Sequence, residues 1–338
     1  MTSANKASRN TALDFTKGAL VLLMVLYHWN NYFFGAHDNR YLRFLTPSFI
    51  FITGFIISNI YFGKYGIADP QLPKRLIVRG LKILAVFLML NVFRSFFSPG
   101  SGLETSATAH SSVRSIIDLY LIGSGVGGGD AKAIAFFVLG PISYLLILSA
   151  LLVVLCRYFR YTVHATCGLC LLSIAVLNYY GLQSPNLELI AIGLLGVVAG
   201  YAPIDRINQF VSHAYFLVMA YAAYLVAITI WNVPYPLQIV GVYLTLMVIY
   251  FAGLKSEGPG SVRECVVLLG KYSLFGYISQ IAIIQLLRPA LRRIDSDTIV
   301  LATSFVLAFV FTILSVEVLD YLRRRLAVID KAYKAVFA

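Results

Sequence analysis

Ten apolar runs divide this chain, and each is long enough to cross the roughly 30 Å hydrocarbon core of a bilayer. They lie near residues 15–34, 44–62, 77–97, 132–156, 163–181, 186–202, 210–230, 236–253, 265–287 and 300–322. A soluble domain carries about a quarter of charged residues, whereas only 12% of this chain is charged and 59% is hydrophobic. The sequence therefore predicts an all-α polytopic membrane protein with about ten transmembrane helices, not a water-soluble one.

The distribution of basic residues predicts the orientation of these helices. With the N-terminus in the cytoplasm, 18 of the 27 Lys and Arg residues fall on the inner side, as the positive-inside rule requires. We therefore expect both termini in the cytoplasm, at a bacterial inner membrane. Topology and contact with anionic membrane lipids account for the net charge of +12, and no nucleic-acid partner is expected.

The domain organisation is expected to be simple. A single membrane-embedded domain covers 1–338, with a cytoplasmic segment at 1–14 and a cytoplasmic tail at 326–338. Residues 112–124 are too short to cross, which favours an interfacial or re-entrant helix. Cys167 and Cys170 form a C-x-x-C on an apolar helix without the two further ligands that zinc needs, so we expect packing there and no metal.

The first predicted helix carries ionisable residues at its cytoplasmic end and near the middle of the bilayer. His28 follows Lys17 by eleven residues, a rise of roughly 16 Å, or about half of the bilayer core. Ionisable groups inside a membrane are costly, and they are therefore functional candidates. Asp14 is expected to pair with Lys17 or Arg9. The alternative for His28 is a packed histidine that is hydrogen-bonded to a neighbouring helix.

A family resemblance follows from the order of residues in this helix. The residues that carry it are Arg9, Leu13-Asp14, Lys17-Gly18 and His28. Their spacing resembles the opening of the acyltransferase-3 family and of its relatives in the transmembrane acyltransferase superfamily, such as the glucan succinyltransferases and the heparan-glucosaminide N-acetyltransferases. Lys17 stands where the family pattern has an arginine.

Two later segments extend the resemblance. Residues 43–57 look like the family's second helix, with Thr53 in place of a serine before a Gly-Phe pair. Residues 269–277 resemble the family's L-G-x-x-S-Y-x-x-Y segment, and Gln280 stands near where many members have a second histidine. Residues 137–144 lack the W-x-L-x-x-E pattern common in the family, which leaves the identity of the acceptor open.

The resemblance implies an acyltransferase with an acyl-CoA donor, which we expect to be acetyl-CoA. Acyl transfer needs a base that takes the proton of the acceptor. His28 suits this role because the ordinary pKa of imidazole is about 6.5. The predicted catalytic residues are therefore His28, Asp14 and Lys17.

Coenzyme A carries phosphates, so a cationic binding site is expected on the cytoplasmic side. The predicted donor-binding residues are Lys17, Arg75, Arg79 and Lys82. The last three are spaced by four and then three residues, so they share a helix face. Ordinary anchoring at the cytoplasmic surface is the alternative for these three.

The acceptor is expected to be a hydroxyl or amine of a cell-envelope glycan. The candidate acceptor-binding residues are Asn30, Asn31, Thr53, Ser273 and Gln280. Asn30 and Asn31 follow His28 and equally suit a helix cap among lipid headgroups. We expect His28 to line a cavity with the basic mouth at one end and these asparagines at the other.

A different class of function remains as an alternative, namely a transporter or a lipid-linked-glycan flippase. Transporters typically show paired repeats with broken helices, and no such pairing is visible in the sequence. The acyl group, the acceptor, a covalent intermediate and the oligomeric state, including a homo-oligomer, stay open.

Overall fold

The computed structural model describes residues 10–34, 40–97, 136–211, 213–231, 233–256, 260–291 and 297–337, with the side chains of residues 34, 93–97 and 297 left out. The described part is helical and contains no strand. The predicted interfacial helix at 112–124 and the predicted ion-pair partner Arg9 lie outside the described residues.

Thirteen helices of at least eight residues are present in the described part of the chain. They are α1 (Thr11–Trp29), α2 (Leu45–Ile56), α3 (Gln71–Phe97), α4 (Leu139–Cys156), α5 (Thr162–Tyr179), α6 (Pro185–Ala199), α7 (Ile204–Val211), α8 (Ala214–Ile230), α9 (Tyr235–Lys255), α10 (Ser261–Lys271), α11 (Ser273–Leu291), α12 (Asp297–Arg325) and α13 (Ala327–Phe337). Short π-helical turns extend α1 over Asn30–Phe34 and α2 over Ile57–Phe62, and a helical turn at Gly63–Tyr65 follows.

Seven of these segments are long and apolar enough to cross a membrane, and eight are if α6 and α7, which meet at a bend of 100°, form one broken span. The prediction of ten spans is therefore not confirmed. Helix α8 has only 17 residues. Helix α3 occupies the third predicted position with 27 residues, but the side chains of its last five residues lie outside the described part.

The chain divides into two compact units, which are described separately. Unit 1 comprises Met1–Leu45 and Ile207–Ala327. Within it, α1 packs against α9, α10, α11 and α12. The C-terminal half of α1 lies on an apolar cluster that includes Val25, Ile284 and Ala308. Within unit 1, the N-terminal helix thus packs against four helices from the last third of the chain.

Unit 2 comprises Thr46–Arg206 and Val328–Ala338. Helix α3 packs along α4, and α6 packs on both α4 and α5. A methyl group on Gly54 would overlap the carbonyl oxygen of Gly193, and one on Gly196 would overlap that of Phe51. The backbones of α2 and α6 therefore touch directly, which is the close approach that small residues permit between membrane helices.

One predicted span needs correction, and the predicted tail contains a helix. The predicted span at 265–287 is interrupted at Tyr272, which ends α10 and precedes α11. The predicted tail at 326–338 is largely the helix Ala327–Phe337, and the Lys334 carbonyl accepts a hydrogen bond from Lys82 Nζ at 3.4 Å.

Candidate functional site

Helix α1 carries the predicted catalytic residues along one face. The Asn10 side chain caps its N-terminus by accepting a hydrogen bond from the Leu13 N–H at 3.0 Å. The helix is uninterrupted from Lys17 to His28. Eleven residues make about three full turns at 3.6 residues per turn. Lys17 and His28 therefore project from the same side of α1, roughly 16 Å apart along its axis.

Asp14 and Lys17 form an ion pair at the N-terminal end of this face. Lys17 Nζ lies 2.7 Å from Asp14 Oδ1, and the two side chains are 18% and 6% exposed. The carboxylate also lies in the first turn of α1, where the helix dipole favours a negative charge. Of the two partners predicted for Asp14, Lys17 is thus confirmed. The pair fixes the ammonium group at the entrance to the face that leads to His28.

Two glycines bring the backbone of α10 against this entrance. A methyl group on Gly18 would overlap the Val266 carbonyl oxygen, and one on Gly270 would overlap the Asp14 carbonyl oxygen. The main chains of α1 and α10 are therefore in direct contact at the level of the ion pair. This crossing gives a physical reason for the glycine in the first-helix motif and for the glycine at position 270 in the 269–277 motif.

His28 contacts a tyrosine of α11 near the C-terminal end of α1. The ring centroids of His28 and Tyr277 are 6.2 Å apart, and the Tyr27 ring lies 5.3 Å from His28. The Nε2 atom of His28 is enclosed and has no hydrogen-bond partner among the described residues. The predicted alternative of a histidine that is hydrogen-bonded to a neighbouring helix through this nitrogen is therefore absent from the described part.

Gln280 lies on α11 in the part of unit 1 that packs against α1. It stands one helical turn after Gly276, which meets the Val21 side chain, and one turn before Ile284, which packs with Val25. This i, i+4 row of α11 therefore faces α1 between Val21 and Val25. Gln280 is fully buried, and neither atom of its amide has a partner among the described residues.

A charged cluster holds the junction between α10 and α11, and it was not predicted as a site. Asp320 of α12 accepts hydrogen bonds from Lys271 Nζ at 3.1 Å and from the Tyr272 hydroxyl at 2.5 Å. Arg324 pairs with its other oxygen at 2.5 Å. Burial and then the bond to Asp320 raise the pKa of Tyr272, which lies between two helices, to about 12. The phenol therefore keeps its proton and donates to Asp320.

The C-terminal end of α1 continues into a π-helical turn that contains Asn30 and Asn31. The Trp29 indole N–H donates to Ser304 at 2.9 Å, and the Gln285 amide donates to the Tyr32 hydroxyl at 3.3 Å. Both predicted acceptor-binding asparagines thus follow His28 at the end of α1, next to bonds that join α1 to α11 and α12.

A cationic cleft of about 580 Å³ lies in unit 2. It is lined by Tyr61, Tyr65, Gln71, Lys74, Arg75, Val78 and Arg79. Two of the three basic residues predicted on α3 therefore open onto one cavity, together with Lys74. Lys82 does not line this cleft, since its ammonium group donates to the Lys334 carbonyl.

Aromatic rings hold both arginines of the cleft in place. The Arg75 guanidinium lies 4.3 Å from the centroid of the Tyr65 ring and donates to Gln71 Oε1 at 3.1 Å. Arg79 donates to the Tyr61 hydroxyl. Stacking on tyrosine leaves the edge of a guanidinium available to a phosphate, to which it can donate two parallel hydrogen bonds.

Residues 10–319 match the model of the acyltransferase-3 family, which is described as an acyltransferase domain. The chain belongs to the acyltransferase-3 family. No curated protein and no solved structure matches it. The protein is therefore a membrane acyltransferase, and its donor and acceptor have to be inferred from its own residues.

The remaining predicted site residues of this acyltransferase are Thr53 on α2 and Ser273 on α11. Thr53 donates its hydroxyl proton to the Phe49 carbonyl at 2.8 Å within α2, and Ser273 is the first residue of α11. Thr53 and Arg75 belong to unit 2, so the predicted cavity that they share with His28 stays a prediction. The described residues contain no group of three or more potential metal ligands.

Proposed function

We propose that this acyltransferase moves an acyl group, most simply acetyl, from cytoplasmic acyl-CoA to an extracytoplasmic hydroxyl or amine of a cell-envelope glycan. Both termini lie in the cytoplasm, and the membrane is the inner membrane of a bacterium. The observation that carries the proposal is the enclosed Nε2 of His28, which has no partner among the described residues and lies on the same helix face as Lys17.

The chemistry assigned to His28 is general base catalysis. Its Nε2 takes the proton of the acceptor hydroxyl or amine as that atom attacks the thioester carbonyl. The carbonyl electron pair moves to oxygen, and collapse of this intermediate breaks the C–S bond. The imidazolium then returns the proton to the departing coenzyme A thiolate. A base that is already hydrogen-bonded through Nε2 to its own protein would have to break that bond first, which His28 avoids.

Each unit by itself carries residues that are predicted to bind phosphates of the donor. Lys17 supplies a point charge at the entrance to α1, where Asp14 fixes its position. Arg75 and Arg79 supply forked donors in the cleft of unit 2, with Lys74 beside them. A diphosphate and a 3′-phosphate carry several negative charges, so we expect a distributed set of cations to bind them.

The assignment of Lys17 predicts the behaviour of two variants. Lys17→Ala is expected to weaken coenzyme A binding by about 10- to 100-fold, because hydrogen bonds to charged groups contribute about 1.5–3 kcal/mol. Lys17→Arg should have a smaller effect, since it keeps the charge. Asp14→Asn keeps the positive charge of Lys17 and removes the negative charge that is paired with it. The affinity for coenzyme A should therefore be kept or increased. Titration calorimetry with coenzyme A measures all three.

The cationic cleft predicts a loss of phosphate recognition. The double variant Arg75→Ala, Arg79→Ala is expected to bind coenzyme A at least tenfold more weakly and to discriminate less between coenzyme A and its 3′-dephospho form. Arg160→Ala, which removes an exposed charge outside the cleft, serves as the control and should keep both affinities. Equal affinities in the double variant and in the unaltered protein would place the phosphates elsewhere.

One measurement distinguishes an acyltransferase from a transporter or a flippase. An acyltransferase releases free coenzyme A thiol from acetyl-CoA in proportion to acylated acceptor. A flippase moves its substrate without releasing thiol. Purified protein incubated with acetyl-CoA and chitosan oligomers, which carry both hydroxyls and amines, therefore tests the proposal directly.

A further inference from the structure

Gln280 is the most unusual buried side chain among the described residues. It is 0% exposed, and both its Nε2 and its Oε1 lack a hydrogen-bond partner there. Leaving a buried polar atom without a partner costs about 1–3 kcal/mol. A side chain that serves packing alone would be apolar at this position, so the amide is retained at a cost to stability.

Other buried polar groups without a partner have simpler explanations. Thr245 and Ser149 each present a single hydroxyl on a helix, where rotation brings it to the carbonyl one turn earlier. Asn91 has an unpartnered Oδ1, but its Nδ2 donates to the Phe87 carbonyl at 2.8 Å. The amide of Gln280 differs from these groups, because neither its nitrogen nor its oxygen has a hydrogen-bond partner among the described residues.

The position of Gln280 relates it to His28. Tyr277, whose ring contacts the imidazole, precedes Gln280 by three residues and therefore lies on the same side of α11. The row formed by Gly276, Gln280 and Ile284 faces α1 between Val21 and Val25, one turn below His28. The buried amide thus lies between α1 and α11, on the side of α11 that also carries the tyrosine in contact with His28.

We propose that Gln280 is a catalytic residue whose Nε2–H donates to the oxyanion that forms on the acyl carbonyl. The inference rests on the proposed acyl transfer. When the acceptor attacks and His28 takes its proton, the carbonyl electron pair becomes an alkoxide oxygen, and the amide donates to it. As the C–S bond breaks, the carbonyl re-forms and the amide is released. A preorganised donor in a dry site stabilises the transition state without reorganisation.

The sharpest test is a variant that gains stability while losing activity. Gln280→Met keeps the length of the side chain and removes both unpartnered atoms. We expect its thermal unfolding midpoint to be unchanged or higher, and its kcat to fall by about 10²–10³ with KM for acetyl-CoA and acceptor unchanged. The assay is thiol release from acetyl-CoA with chitosan oligomers. Gln238→Met, on α9 and outside the candidate site, is the matched control and should keep kcat.

Each outcome decides the matter. A lower midpoint in Gln280→Met would show that the amide is a structural partner and overturn the inference. Unchanged kcat, or a raised KM with unchanged kcat, would also overturn it while leaving the proposed function intact. Absence of turnover in the unaltered protein would instead reject the proposed acyl transfer together with this role of Gln280.

Discussion

Replacing His28 with alanine is expected to abolish acyl transfer while the protein still folds and inserts into the membrane. The imidazole contributes no hydrogen bond through Nε2 within the described part of the protein, so its removal leaves no buried polar partner unsatisfied. General base catalysis by a positioned side chain contributes about 10²–10⁴-fold. Thiol release from acetyl-CoA by the purified variant should therefore fall by at least this factor.

A second histidine provides the control for this experiment. His213 lies between α7 and α8, is exposed, and has a hydrogen bond with the nearby Gln209 carbonyl at 3.2 Å. His213→Ala should keep both activity and the unfolding midpoint. Near-normal turnover in His28→Ala would remove the imidazole from the mechanism and leave the family assignment in place.

Among the proposed variants, replacing Gly270 with alanine is expected to lower the stability of the fold most. The added methyl group would overlap the main-chain carbonyl of Asp14, and a backbone atom cannot move aside as the end of a side chain can. Overpacking of this kind costs about 1–3 kcal/mol, and more where the contact is rigid. Thermal unfolding in detergent should show a lower midpoint, and the displaced α10 should weaken coenzyme A binding near Lys17.

The matched control is the same substitution where space is open. A methyl group on Gly168 in α5 would meet no atom within 4 Å. Gly168→Ala should be neutral or should stabilise its helix by up to about 1 kcal/mol, because alanine is the better helix former. Equal midpoints for the two variants would contradict a direct backbone contact between α1 and α10.

Features that depend on a single helix were accessible from the sequence. The face that joins Lys17 to His28 follows from an uninterrupted apolar run, and the Asp14–Lys17 pair is local because the two residues are three positions apart. The family resemblance also came from residues at short spacing, and the match over 10–319 confirms it. Local spacing determines these contacts, so one segment suffices to predict them.

The break at Tyr272 was not accessible in this way. Within 265–287 Lys271 is the single charged residue, so hydropathy indicates one span. Asp320, 49 residues further along the chain, accepts the hydrogen bond from Lys271 and stabilises the interruption. A partner so distant in sequence leaves no periodic signal near the break.

The cationic cleft also depends on contacts that residue spacing within one helix does not predict. Arg75 and Arg79 were predicted from their spacing on α3. The contribution of Tyr61 and Tyr65 depends on the π-helical turn and the helical turn that follow α2. A π-helical turn shifts the direction of later side chains in a way that residue spacing alone does not report. Tyr277 was likewise missed, although it lies in the motif that suggested the family.

The dependence of α1 on the last third of the chain has a consequence for biosynthesis. Tyr32 and Gln285, which bond to each other, are 253 residues apart, so α1 enters the membrane long before α10 and α11 are translated. During this interval its charges have only each other, and the Asp14–Lys17 pair forms within one helical turn without waiting for a partner. The late arrival of α11 then places Tyr277 against His28. The nascent chain therefore completes the surroundings of this histidine as one of the last steps of assembly.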